Sequence, residues 1–164
     1  MPSIRISKEL NSQIYFLTFT VKDWCRVLDR YDRFEILSDS IEYCRKHKGL
    51  MVYAYVFMPN HIHLVVFAPD MIAFVRDFKR YTASKIIEDM YHTEPDLLEL
   101  FKNENRFELW RKTNMPKLIE SEKYLLQKIN YIHNNPVRKQ YVQRSEQWYW
   151  SSANPDSPIK VEII

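Results

Sequence analysis

Three observations predict an α+β chain built on a ferredoxin-like antiparallel sheet with helices packed on one face. Segments rich in β-branched and aromatic residues alternate with helix-spaced apolar stripes in the order strand–helix–strand–strand–helix–(strand)–helix. The link between the second and third strands is only Pro59-Asn60, short enough for an antiparallel hairpin and too short for a parallel crossover. At 164 residues, 46% apolar and 15% aromatic, the chain is one domain with a sizeable core.

Taken in order, 14–21 (IYFLTFTV) reads as a buried strand and the polar segment 22–30 as a loop. Between Tyr31 and His47, Phe34, Ile36, Leu37, Ile41 and Cys44 form a helical stripe, with Gly49 as its stop. Residues 50–58 (LMVYAYVFM) form the second strand, in which Tyr53, Tyr55 and Phe57 repeat with period two as sheet packing. Asp70 caps a helix running to about Met90, which packs through Ile72, Val75, Phe78 and Ile86. That leaves Arg76, Lys79, Arg80 and Lys85 toward solvent or a ligand. Residues 91–105 are acidic and broken by Pro95, 107–110 are a candidate fourth strand, and 115–118 read as linker. A third helix spans 120–134 with the stripe Leu125, Ile129 and Ile132, and Pro136 ends it. Trp148-Tyr149-Trp150 and Ser151-Ser152 lead into a tail punctuated by prolines.

Composition removes several function classes. A single glycine leaves no Walker A loop and no GxGxxG turn, so no nucleotide cofactor is expected. Two cysteines without CxxC spacing point to a reducing, cytoplasmic compartment. No signal peptide opens the chain, and no stretch approaches the roughly 20 apolar residues of a membrane span. Net charge is only +3, but it is uneven: 111–144 holds eight Lys/Arg against two Glu, whereas 86–108 holds two against seven acids. One basic working surface and a solvated acidic segment follow.

The chemistry concentrates in two places. His61 and His63 alternate with Ile62, Leu64 and Val66, so both imidazoles leave one face of a strand while the aliphatics leave the other. They resemble two ligands of a metal awaiting a third. On the third helix, residues three and four apart share a face, so Gln127, Tyr131 and Asn135 line up with Tyr124 and Lys128 alongside. A phenol one turn from an amide oxygen can present a nucleophile and a ligand together. Each part alone has a bland reading: strand histidines that only hydrogen-bond, one of eleven tyrosines, and an asparagine at a helix end.

The run Met58-Pro59-Asn60-His61-Ile62-His63-Leu64-Val65-Val66, then Trp110, Tyr131-Ile132-His133-Asn134-Asn135-Pro136-Val137-Arg138 and Trp148-Tyr149-Trp150-Ser151-Ser152, resembles the single-tyrosine HUH transposases. Within them it is similar to the REP-associated tyrosine transposase branch, relatives of the smallest bacterial insertion-sequence transposases. The resemblance spans roughly 14–152. It implies one catalytic domain over 1–152 with a tail at 153–164, single-stranded hairpin DNA as partner, and cleavage dependent on Mg²⁺ or Mn²⁺. The products would be a 5′-phosphotyrosine and a free 3′-hydroxyl. By position it makes His61 and His63 the paired ligands, Asn135 the third, and Tyr131 the nucleophile. Relatives commonly continue the Asn-Pro-Val-basic run with glycine; this chain reads Arg138-Lys139-Gln140.

Lys79, Arg80, Lys85, Lys128, Arg138 and Lys139 are the candidate phosphate contacts, against the reading of an ordinary solvated face. Trp110 and Trp148 are candidates to stack on bases, with a core role favoured for each, and His133 points away from Tyr131. The competing functions are a domesticated, non-cleaving binder of structured DNA or RNA and a zinc hydrolase, the latter disfavoured by a carboxamide ligand. Relatives are either homodimers that exchange the tyrosine helix or self-contained monomers, and the 111–120 linker is long enough for both.

Overall fold

The structure, a computed structural model, describes residues 5–164. Its centre is an antiparallel sheet of β1 (Ile14–Thr20), β2 (Met51–Met58), β3 (His61–Phe67) and the short β6 (Lys117–Leu118), in the order β2-β3-β1-β6. β1 pairs with β3 along its whole length, from Ile14 opposite Phe67 to Thr20 opposite His61. The chain order and strand order are those expected of a ferredoxin-like α+β fold. β4 (Lys102–Asn103) and β5 (Arg106–Phe107) make a separate two-stranded hairpin.

Alternation along the strands sorts the side chains into two cores. Leu17 and Phe19 of β1, Tyr55 and Phe57 of β2 and Ile62, Leu64 and Val66 of β3 meet α1 (Arg33–His47) and α2 (Met71–Thr93) through Phe34, Leu37, Ile41, Phe74 and Phe78. The other face presents Phe16, Ala54, Val56, Met58 and Val65, covered by Leu125 and Ile132 of α4 (Glu122–Arg138). So α1 and α2 share one face, as expected of the ferredoxin-like sheet, while α4, expected on that same face, lies on the opposite one. The period of the strand dictates this: a helix that serves the histidine side must sit across the sheet from the helices that cover Ile62 and Leu64. A bulge between Val52 and Ala54 shifts the parity of β2, so Tyr53 packs under α4 rather than sharing a face with Tyr55 and Phe57 as the period-two reading expected.

Local signals account for most boundaries. Asp70 accepts from the Ala73 amide at the start of α2, and Ser121 accepts from Tyr124 at the start of α4. Gly49 has φ +71, and a Cβ there would come within 2.9 Å of Pro69 Cγ, so a side chain is excluded twice over. α3 (Pro95–Leu98) starts at the expected breaker. Buried Arg33 ties α1 to the end of α2 through Asp89 at 2.7 Å and Glu94 at 2.8 Å, and donates to the Val27 carbonyl.

Two boundary expectations are corrected. The fourth strand of the main sheet is Lys117–Leu118, which read as linker; of 107–110, only Phe107 is in a strand, that of the small hairpin, and Trp110 makes an isolated bridge to Val21. Pro136 does not end the third helix, which continues to Arg138. Proline in the last turn removes a single intrahelical donor, and the Lys139 amide still closes on the Asn135 carbonyl at 3.0 Å. Beyond α4 the chain returns along the free edge of β2: Phe57 N–H donates to Trp150 O, and Ser152 N–H to Tyr55 O. Ile159 is buried in the core, and the Glu162 amide bonds Val52 O.

Candidate active site

β3 and α4 bring His61, His63, Tyr131 and Asn135 together within one chain. Both histidines are 5% exposed. Their rings lie 4.8 Å apart, and His63 is sandwiched between Phe16, stacked at 5.2 Å, and Tyr131, edge-on at 5.5 Å. Tyr131 itself is 42% exposed, so its ring borders the histidines while reaching solvent.

The hydrogen bonds leave particular atoms free. His61 Nδ1 meets Asn60 Oδ1 at 2.7 Å, and a carboxamide oxygen only accepts, so Nδ1 carries the proton of the neutral ring. Nε2 therefore keeps its lone pair, which takes the Asn135 Nδ2 donor at 3.1 Å. His63 uses Nδ1 on Thr18 Oγ1 at 2.9 Å. Imidazoles whose Nδ1 is held by a neighbour, leaving Nε2 for another partner, are the arrangement of metal ligands. Asn135 is 1% exposed and its Oδ1 has no hydrogen-bond partner. Such an orphaned buried acceptor is costly, and on a side chain that touches His61 Nε2, with His63 next to His61, it fits a cation.

Electrostatics point the same way. Burial lowers the His61 pKa to about 4, assisted by Lys139 and Arg138. Burial holds His63 well below its ordinary value too, with His61, Arg138, Lys128 and Lys139 adding to it. Both rings are thus neutral near pH 7, the form that ligates. Among the described residues no group of three or more His, Cys, Asp or Glu is placed to hold a metal. A site here needs a donor of another kind, and Asn135 is the one at hand.

The candidate cations divide by face. Lys128, on α4, has Nζ 5.2 Å from the Tyr131 ring centre, and the Arg138 guanidinium lies over the same ring at 4.1 Å while donating to Tyr131 O. Lys139 is exposed at the end of the helix. Lys79, Arg80 and Lys85 are on α2, which packs on the opposite face. Lys79 donates to the carbonyls of Arg111 and Lys112 at 2.9 and 3.0 Å, a clamp on the backbone rather than a free charge. Arg80 is exposed, and Lys85 reaches its own helix neighbour Tyr81.

The aromatic candidates fall on the core side. Trp110 is buried against Phe19 and donates to Thr82 Oγ1, while Trp148 donates to Phe57 O. His133 bonds Ser152 Oγ at 2.7 Å, fastening α4 to the returning chain. Residues the sequence reading passed over also line the site: Thr18 and Asn60 hold the histidines, and Trp24 stands edge-on to His61 at 6.2 Å. The period of β1 could have flagged Thr18, which falls on the side away from Leu17 and Phe19. At the helix end, Gln140 has φ +64, so the left-handed turn that follows α4 is made without glycine.

This geometry has parallels. The chain aligns at 23% identity over 155 residues, 92% of its length and 84% of the relative's, with a protein of Haemophilus influenzae named as a REP-associated tyrosine transposase. It superposes on the solved structure of a REP-associated tyrosine transposase bound to a REP hairpin with a TM-score of 0.69 at 16% identity, covering 100% of this chain and 95% of that one. A second solved structure, named as a transposase from Deinococcus radiodurans, matches with a TM-score of 0.51 at 22% identity, over 80% of this chain and 96% of the other. Residues 9–135 match the model of the family described as "Transposase IS200 like", well over half of the chain, and the protein belongs to that family.

Proposed function

We propose that this transposase cleaves and rejoins hairpin-bearing single-stranded DNA through a covalent bond to Tyr131, with a divalent ion of the Mg²⁺ or Mn²⁺ type held by His61, His63 and Asn135. The observation that carries the reading is the orphaned Oδ1 of Asn135 beside His61, one helical turn from a tyrosine that borders His63. A REP hairpin is what the structural neighbour of highest similarity quoted above is bound to, which supports hairpin DNA as the partner.

The metal, when bound, would polarise a phosphoryl oxygen and offset the charge that develops on it. The chain's own groups do the rest. The Tyr131 phenol, 42% exposed, gives up its proton to solvent and its oxygen attacks phosphorus; the bond from phosphorus to the 3′ oxygen breaks, and that oxygen leaves as a hydroxyl after taking a proton from solvent. The strand stays joined to Tyr131 through its 5′ phosphate, so one phosphodiester-level bond replaces another. Rejoining is the reverse attack and needs no nucleotide hydrolysis, consistent with a chain that holds one glycine and no phosphate loop. Lys128 and Arg138, flanking the ring, can hold the phosphates on either side of the break. Tyr131 borders its own chain's His63, which supports a site completed within one copy.

The test compares wild type with Tyr131→Phe on single-stranded hairpins, with and without Mn²⁺, reading covalent adducts on denaturing gels and binding on native ones. The reading expects adducts only from wild type with metal, and near-equal binding by both proteins. Hairpin binding by wild type with no adduct under any metal would favour a non-cleaving binder.

A further inference from the structure

Among the described residues, Trp24 stands beside the site with no part in the core or in the proposed chemistry. Its indole is 53% exposed although it borders buried His61. The backbone that presents it is strained: Asp23 has φ +56 and Trp24 φ +58, two successive non-glycine residues in the left-handed region. A bulky aromatic adopts that conformation only where the surroundings enforce it, and such outliers cluster where a ligand is held. The enforcing bonds are present. Trp24 N–H donates to Val21 O at 3.0 Å, and Asn60 Nδ2 donates to Trp24 O at 3.3 Å.

Asn60 does two things at once, since its Oδ1 also holds His61 Nδ1. One side chain thereby couples the Trp24 backbone to a proposed ligand. Arg111 completes the arrangement. Its guanidinium lies 5.8 Å from the Trp24 ring centre, and its backbone is pinned by its own N–H on Thr20 O and by the Lys79 ammonium on its carbonyl. The backbones that carry the cation and the indole are thus both fixed by the frame, and both side chains are open to solvent. The other candidate tryptophans, Trp110 and Trp148, for which a core role was favoured, donate their indole N–H inward.

We infer that Trp24 and Arg111 form a seat for one unpaired nucleobase of the single strand next to the cleaved phosphate, the indole stacking on the base and the guanidinium taking an adjacent phosphate. This rests on the proposed DNA-cleaving function but makes a separate claim: the strand is positioned by one stacked base at the His61 edge of the site. Stacking tolerates any base, so the seat sets the register of the strand rather than its sequence.

The test uses hairpin oligonucleotides with a single-stranded flank in which an abasic residue is walked one position at a time. Binding is titrated in EDTA, and adduct formation in Mn²⁺ is measured in parallel. For wild type, one flank position is expected to cost about tenfold in Kd when abasic, within the usual range for a stacked base. Trp24→Ala should lose about as much on the intact oligonucleotide, and the abasic penalty at that position should vanish; Trp24→Phe should restore most of both. The seat is overturned if Trp24→Ala binds like wild type, if the abasic penalty survives in Trp24→Ala, or if no single-stranded flank contributes to binding. Absence of adducts with the abasic pattern intact would overturn the cleavage reading alone. Adducts with a featureless abasic profile would overturn the seat alone.

Discussion

Asn135→Leu separates a residue kept for a cation from one kept for the fold. In the metal-free protein Asn135 makes one side-chain hydrogen bond, Nδ2 to His61 Nε2 at 3.1 Å, and leaves Oδ1 buried without a partner. Leucine keeps the branched outline but is bulkier, and it removes the Nδ2 donor along with the orphaned oxygen. Removing the buried Oδ1 returns about 1–3 kcal/mol, while leaving His61 Nε2 buried without its donor costs about as much. The variant should therefore unfold in EDTA within about 2 kcal/mol of wild type. In Mn²⁺ wild type should be clearly the more stable. Wild type at a hundred times its Kd gains about 2.7 kcal/mol, and the variant, short of a ligand, gains little. Thermal or urea unfolding with EDTA and with a Mn²⁺ series reads both effects without any DNA. A variant that is destabilised by 2 kcal/mol or more in EDTA, yet keeps the wild-type increment in Mn²⁺, would refute the reasoning and make Asn135 a structural residue.

Three further outcomes are expected. His61 is depressed from 6.5 to about 4, so between those values the unfolded chain binds a proton that the folded one does not. Its contribution is intact above about pH 6.5 and is lost as pH falls, about 2 kcal/mol by pH 5 in EDTA; His61→Gln should flatten this part of the stability profile, and an unchanged profile would contradict the shift. Lys128→Gln should lower the slope of log K against log salt for hairpin binding by roughly one contact, whereas Lys79→Gln should leave that slope alone and lower stability; the opposite pattern in salt titrations would move the binding face to α2. Gln140→Gly should raise stability by about 1 kcal/mol, because only glycine adopts φ +64 without a steric cost; denaturant midpoints lower than wild type would show that the Gln140 side chain compensates.

The parts of the fold visible in the sequence are those whose pattern is local. The 61–67 strand declared its two faces through the alternation of His61 and His63 with Ile62 and Leu64, and a two-residue link declared the hairpin. Asp70 and Gly49 marked element ends by chemistry that needs no tertiary partner. β6 was not legible, because two residues have no periodicity and Lys117–Leu118 is a strand only by pairing with Tyr15 and Phe16. The reach of α4 past Pro136 was hidden for a related reason: proline's lost donor and its clash fall on the turn before it, and whether Val137 and Arg138 continue the helix is settled by how the chain closes, as in Lys139 N–H on Asn135 O. At the site, types and spacing put His61, His63, Tyr131 and Asn135 on the page, while their supports were invisible. Thr18, Asn60 and Trp24 join the site through register and loop closure, and no one-dimensional spacing encodes those. Lys79 shows the converse, a cation whose helical position suggested a ligand and whose partners are backbone carbonyls.

The central claim is that one tyrosine, the one bordering His63, becomes covalently attached to DNA. The most direct measurement is peptide mapping of the adduct: wild-type protein is incubated with a single-stranded hairpin and Mn²⁺, digested with protease and nuclease, and analysed by tandem mass spectrometry. The account predicts a 5′-nucleotide remnant on Tyr131 and on none of the other ten tyrosines. A remnant on another residue, or an adduct that persists in Tyr131→Phe, would contradict it.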